Sequence, residues 1–135
     1  MTETSVRRRV DVGRAILVVE GLLLLLLGIG GVAAGGAVAG FQVNLPHGIA
    51  LAVTGCAALV VAATRRLVLP FALLQLVAYG AAYLYGANIQ GQHTGDVWQF
   101  NQADSWLHLG MAVVALVIAF AVSAARGGRR KTTTK

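Results

Sequence analysis

The side chains able to do chemistry in this chain fall into two groups. The first holds all three histidines: Asn44 and His47 in one segment, His93 and Asp96 in a second, and Asn101, Asp104, Trp106 and His108 in a third. Asp104 and His108 are four apart, which places them on one face of a helix. His47, brought in from a neighbouring helix, would complete a two-histidine, one-carboxylate set suited to zinc or a similar divalent metal. Two histidines on separate helices can also ligate a haem. The same residues have a structural use. Asn101 is a candidate N-cap with Asp104 reaching back to it, an Asn/Asp analogue of the capping box. Asn44 is a candidate cap for another helix, with Pro46 in the first turn, where its missing N–H costs nothing.

The second group, Glu20, Gln75, Tyr79 and Tyr83, is embedded in apolar sequence. Polar side chains are costly in hydrocarbon and mark either a pathway or interhelical hydrogen bonds. Glu20 lies six residues past Arg14, roughly 9 Å along a helix, and Gln75 lies at a similar depth in a later run. The two are expected to pair. Gln75, Tyr79 and Tyr83 are spaced by four and share a face. A proton or cation relay along them is one reading, and packing glue between helices is the other.

The elements that must position these groups follow from hydropathy. Four runs, about 15–38, 46–64, 67–86 and 106–125, are long enough to cross a hydrocarbon core roughly 30 Å thick. Lipid cannot solvate a bare peptide group, so each is expected to be a helix. The expected fold class is all-α, a four-transmembrane-helix bundle. It would be flanked by basic tails, 1–14 and 126–135.

Charge sets the expected orientation. All 11 Lys and Arg residues lie in three stretches: Arg7 to Arg14, Arg65 with Arg66, and Arg126 to Lys135. Counting crossings puts the three on one side of a bilayer, the positive-inside pattern, with both termini cytoplasmic. This points to a multi-pass protein of the cytoplasmic membrane. The net charge of +6 is explained by span-flanking residues that face anionic lipid headgroups, and nucleic acid is not an expected partner. With 57% hydrophobic and 12% charged residues, the composition is far from the roughly 25% charge of a soluble domain.

The remaining features refine this picture. Arg7 to Arg14, the apolar run and Ala37-Val38-Ala39 resemble the parts of a secretory signal peptide. The run exceeds the usual core of about 7–15 residues and is expected to stay as an anchor. Gly31 with Gly35, and Gly36 with Gly40, have the GxxxG spacing that lets membrane helices approach closely. Gly48, Ala52 and Gly55 line a face of the second helix in the same way. Trp98, Trp106, Phe41, Tyr83, Tyr85 and Phe100 cluster away from the basic stretches, as an interfacial belt would. The single cysteine, Cys56, is expected to form no internal disulfide and reads as a small buried residue.

Two segments carry a family resemblance. Phe41-Gln42-Val43-Asn44-Leu45-Pro46-His47, followed by Gly55, and Asn101-Gln102-Ala103-Asp104-Ser105-Trp106-Leu107-His108-Leu109-Gly110 resemble the signature segments of the bacterial membrane family catalogued as domain of unknown function 4383. The resemblance extends from about Gly28 to Ala119 and includes Tyr79, Gly80, Tyr83 and Gly86. It implies a four-span bundle and supplies no activity. Where the family often has a second histidine, four residues after the position of His47, this chain has Leu51. A site built on paired histidines would be incomplete here.

No enzyme motif is evident: there is no HExxH, no phosphate-cradling glycine loop and no serine nucleophile with a base. The sequence reads as a non-enzymatic structural or accessory module, with no cofactor assigned, that associates with itself or another membrane protein. The alternatives are a metal- or haem-binding site at His47, Asp104 and His108, and a small proton or solute conduit through Glu20.

Overall fold

The computed structural model describes residues 3–64, 66–89 and 97–130. Along the chain lie α1 (Glu3–Ala33), β1 (Ala37–Val38), β2 (Phe41–Gln42), α2 (Leu45–Ala63), α3 (Val68–Ile89) and α4 (Gln102–Arg130). Four stretches, Val10–Ala33, Leu45–Ala63, Val68–Ile89 and Gln102–Ala124, are long and apolar enough to cross a membrane. This is an integral membrane protein of the all-α class.

Several boundaries differ from the sequence-based expectation: α3 runs on to Ile89, α4 begins at Gln102 and continues to Arg130, and the largest differences are at α1. The first span does not run on to Val38, because α1 ends at Ala33. Gly36 N–H donates to the Gly31 carbonyl at 2.9 Å and Gly35 N–H to Val32 at 3.1 Å, the paired bonds of a Schellman stop. Gly35 takes φ +86° there, a left-handed value at which a Cβ is penalised. The chain then turns back as a two-stranded antiparallel hairpin, with Ala37 opposite Gln42 and Val38 opposite Phe41. Gly36 and Gly40 therefore belong to the hairpin, not to a helix-packing face. The basic N-terminal segment is not a separate tail either, since α1 already begins at Glu3.

The helices pair as α1 with α2 and α3 with α4, and the two pairs join along α1 and α4. Consecutive α2 and α3 barely meet. Glycines hold the first pair together at two levels. A methyl group added to Gly21 would lie 2.8 Å from the Gly55 carbonyl oxygen, and one added to Gly28 would lie 2.6 Å from that of Gly48. Gly21 and Gly28 are one heptad apart, as are Gly48 and Gly55, so two antiparallel backbones touch every second turn. Hydrocarbon tails give no hydrophobic drive between helices, and such backbone approach is what attracts them. In the second pair Gly86 makes room for the Ser105 hydroxyl, 2.5 Å from where a methyl would sit.

The interior divides into two levels. At the end carrying Arg14 and Arg66, here the basic end, Leu17, Val61, Val68, Ala72, Ile118 and Val122 form an entirely apolar cluster. Arg14 closes it by donating from Nε to the Ala62 carbonyl in the last turn of α2, at 2.6 Å, a good place for a cation. Toward the opposite, histidine end a second cluster joins Leu24, Val43, Leu51 and Ala112 to Tyr79. Large apolar side chains such as Leu26, Val53, Val77 and Phe120 point outward, the arrangement expected of a lipid-facing surface.

Candidate functional site

The site at the histidine end is assembled by three caps. Asn44 precedes α2 in extended geometry, and its Oδ1 accepts the His47 N–H at 3.1 Å. Its Nδ2 donates to the Val97 carbonyl at 2.7 Å, tying the start of α2 to the approach to α4. At that second helix start the bonds are reciprocal: Asp104 N–H donates to Asn101 Oδ1 and Asn101 N–H to Asp104 Oδ2, both at 2.9 Å. The carboxylate also accepts the Gln42 N–H at 3.2 Å, and Asn101 Nδ2 donates to the Gly40 carbonyl at 2.7 Å. The start of α4 thus clasps the hairpin between α1 and α2.

Held by these caps, the two histidines come together. His47, 2% exposed, places Nδ1 at 2.7 Å from the Gln42 carbonyl. A carbonyl only accepts, so Nδ1 carries the hydrogen, and in the neutral ring Nε2 carries the lone pair. The His47 and His108 centroids are 5.6 Å apart. Phe100 packs against both, at 4.7 Å from His47 and 4.6 Å from His108. Tyr79 from α3 stacks on His108 at 5.9 Å.

Below Tyr79 the polar interior continues to one more pair. Gln75 Nε2 donates to Glu20 Oε1, the pairing that equal depth in the membrane predicts. Glu20 and Gln75 are 6% and 2% exposed. The Tyr79 hydroxyl lies beside Thr54 and Gln75. Among the described residues, Glu20 Oε2, Gln75 Oε1, the Tyr79 hydroxyl, His108 Nδ1, His47 Nε2 and Asp104 Oδ1 are all buried without a partner. Six such atoms along one interior line is unusual, because most buried polar groups find a partner. The line stops at Glu20. Among the described residues, the apolar cluster of the basic end and the Arg14 side chain that closes it lie beyond.

The sequence-derived candidates sort cleanly against this geometry. Asn44, His47, Asn101, Asp104 and His108 converge. Trp106 does not: it is 59% exposed and meets Tyr83 at 6.4 Å on the periphery. The line from Gln75 and Tyr79 turns to His108 on α4 instead of continuing to Tyr83. His93 and Asp96 lie outside the described residues. No group of three His, Cys, Asp or Glu side chains stands ready to hold a metal ion among the described residues. One oxygen of Asp104 is committed to two backbone donors, and Phe100 fills the corner between the imidazoles. Phe100 is the residue that sequence reading assigns to the interfacial belt. Its signal is its place just before the Asn101 cap, where an apolar residue is commonly turned inward.

Two cavities flank the line. One, of about 480 Å³, lies between α1 and α4 and is apolar except for Glu20. The other, of about 430 Å³, lies between α2 and α3 and is lined by His47, Thr54, Tyr79, Trp98, Phe100 and His108 together with small residues.

The model of a family described as a domain of unknown function, DUF4383, matches residues 14–121. The chain belongs to that family. No curated protein and no solved structure matches it. The part matched to DUF4383 takes in the whole site, from Glu20 to His108, as well as both glycine contacts between α1 and α2. Since the family's description carries no activity, function must be argued from this geometry.

Proposed function

We propose that this DUF4383 member is an accessory binding module of the cytoplasmic membrane, non-enzymatic, with both termini inside, that associates with another membrane protein or a second copy of itself. The orientation is supported by Arg7, Arg8, Arg14 and Arg66 at one end of the bundle, facing anionic headgroups. The observation that carries the reading is the dead end at Glu20. A conduit needs a polar route across the membrane, and here Leu17, Val61, Ile118 and Val122 close the basic end with hydrocarbon. Buried polar groups that stop partway through the bundle are suited to binding.

Photo-crosslinking in intact cells tests this. A photoreactive residue at Trp106 or at Phe120, 59% and 75% exposed, should give one discrete protein adduct, reproduced when the captured partner carries the crosslinker. Adducts with lipid alone at both positions would count against it.

A second reading, a metal- or haem-binding site at the same end, would have to draw His47, Asp104 and His108, each with a buried atom without a partner, into a group that they do not form here. Metal analysis and a visible spectrum of the purified protein address it, and a colourless, metal-free preparation would remove it.

A further inference from the structure

We infer that the cleft between α2 and α3 is a binding site for a neutral, lipid-soluble molecule bearing a planar ring and a hydroxyl donor, a hydroquinone or related phenol. The inference is independent of any protein partner. Four features of the cleft carry it.

The first is access. Because α2 and α3 barely meet and the facing residues Ala50, Ala78, Ala81 and Ala82 are small, the cavity lies between the two helices, at the level a lipid-soluble molecule occupies. Its volume of about 430 Å³ falls within the range of roughly 300–1,000 Å³ typical of small-molecule sites.

The second is charge. Among the described residues, no Asp, Glu, Lys or Arg lines the cleft. A phosphate, carboxylate or ammonium would be desolvated there without a counter-charge, which is prohibitive.

The third is the set of polar atoms. His47, Tyr79 and His108 are 2%, 7% and 3% exposed and all line the cavity. His47 Nε2, the Tyr79 hydroxyl and His108 Nδ1 have no partner. With Nδ1 committed to the Gln42 carbonyl, His47 keeps an unpartnered acceptor buried beside the cavity wall, which a ligand O–H would reach as the wall side chains shift. The Tyr79 hydroxyl, beside Thr54 at the cavity wall, can donate or accept and would supply a second contact.

The fourth is shape. Phe100 presents its ring to the cavity, and Trp98 and Tyr85 stand beside it, each ring 6.0 Å from that of Phe100. Flat walls of this kind favour a flat ring.

The test uses the full chain in nanodiscs with Trp106→Phe, which leaves Trp98 as the only tryptophan. Decyl-trimethylhydroquinone is titrated, with its dimethyl ether as the control that keeps ring and tail but lacks the donors. Saturable quenching of Trp98 by the hydroquinone is expected, with the ether weaker by about tenfold or more, the scale of a lost hydrogen bond to a buried group. His47→Asn keeps a donor for Gln42 but removes Nε2, and should weaken the hydroquinone by a similar factor while leaving the ether unchanged. Tyr79→Phe, which removes one oxygen, is the second variant and should lower hydroquinone affinity severalfold. Equal affinities for hydroquinone and ether, quenching that never saturates, or hydroquinone binding unchanged in both variants would each overturn the assignment.

Discussion

The carboxylate of Asp104 accepts the backbone N–H of Gln42 at 3.2 Å, across 62 positions of sequence. Through that bond the first turn of α4 holds the hairpin that joins α1 to α2, and with it the Gln42 carbonyl that orients His47. One side chain thereby caps a helix, anchors a turn and sets the position of an imidazole.

Asp104→Ala should therefore cost more than an ordinary cap. Loss of the cap contributes about 1 kcal/mol, and leaving the Gln42 and Asn101 donors without an acceptor adds roughly 1–3 kcal/mol. Thermal unfolding in detergent should show the loss, with Asp104→Asn, which retains an acceptor oxygen, falling between the two. A melting temperature unchanged by the alanine would contradict this role.

The glycine contacts predict opposite effects for one kind of change. Gly21→Ala places a methyl against the Gly55 carbonyl, and Gly28→Ala against that of Gly48. Each should destabilise by about 1–3 kcal/mol, the usual cost of overpacking. Gly30→Ala meets nothing within 4 Å and should be neutral or gain up to about 1 kcal/mol from helix propensity. Denaturant titration of the three variants distinguishes packing contacts from incidental helix glycines; equal effects would remove the distinction.

Glu20 and Gln75 should be energetically coupled. Removing either alone, as Leu, strands its buried partner, whereas removing both strands neither. A double-mutant cycle in detergent should give a coupling of about 0.5–2 kcal/mol, with the double variant more stable than the sum of the singles implies. Strict additivity would show that the bond contributes nothing.

Local chemistry explains which parts of this molecule are legible in its sequence. The spans follow from lipid's refusal to solvate peptide groups, and the caps at Asn44, Asn101 and Asp104 follow from side chains reaching three residues along the chain. The pairing of Glu20 with Gln75 follows from depth alone. Gly35, Gly36 and Gly40 mislead because a spacing of four is the same in a packing face and in a turn; only backbone handedness separates the two. The meeting of His47, Tyr79 and His108 around Phe100 depends on how three helices cross. The Gly40 and Gln42 contributions come from backbone atoms, which leave no mark in residue type.

The central claim is that the buried polar line ends at Glu20, so that the bundle binds rather than conducts. Proton flux into proteoliposomes under an imposed pH gradient and membrane potential measures this directly. Liposomes holding the wild-type protein should acidify no faster than protein-free liposomes, and Glu20→Gln should leave that rate unchanged. A wild-type flux well above the protein-free rate, lost in Glu20→Gln, would contradict the account.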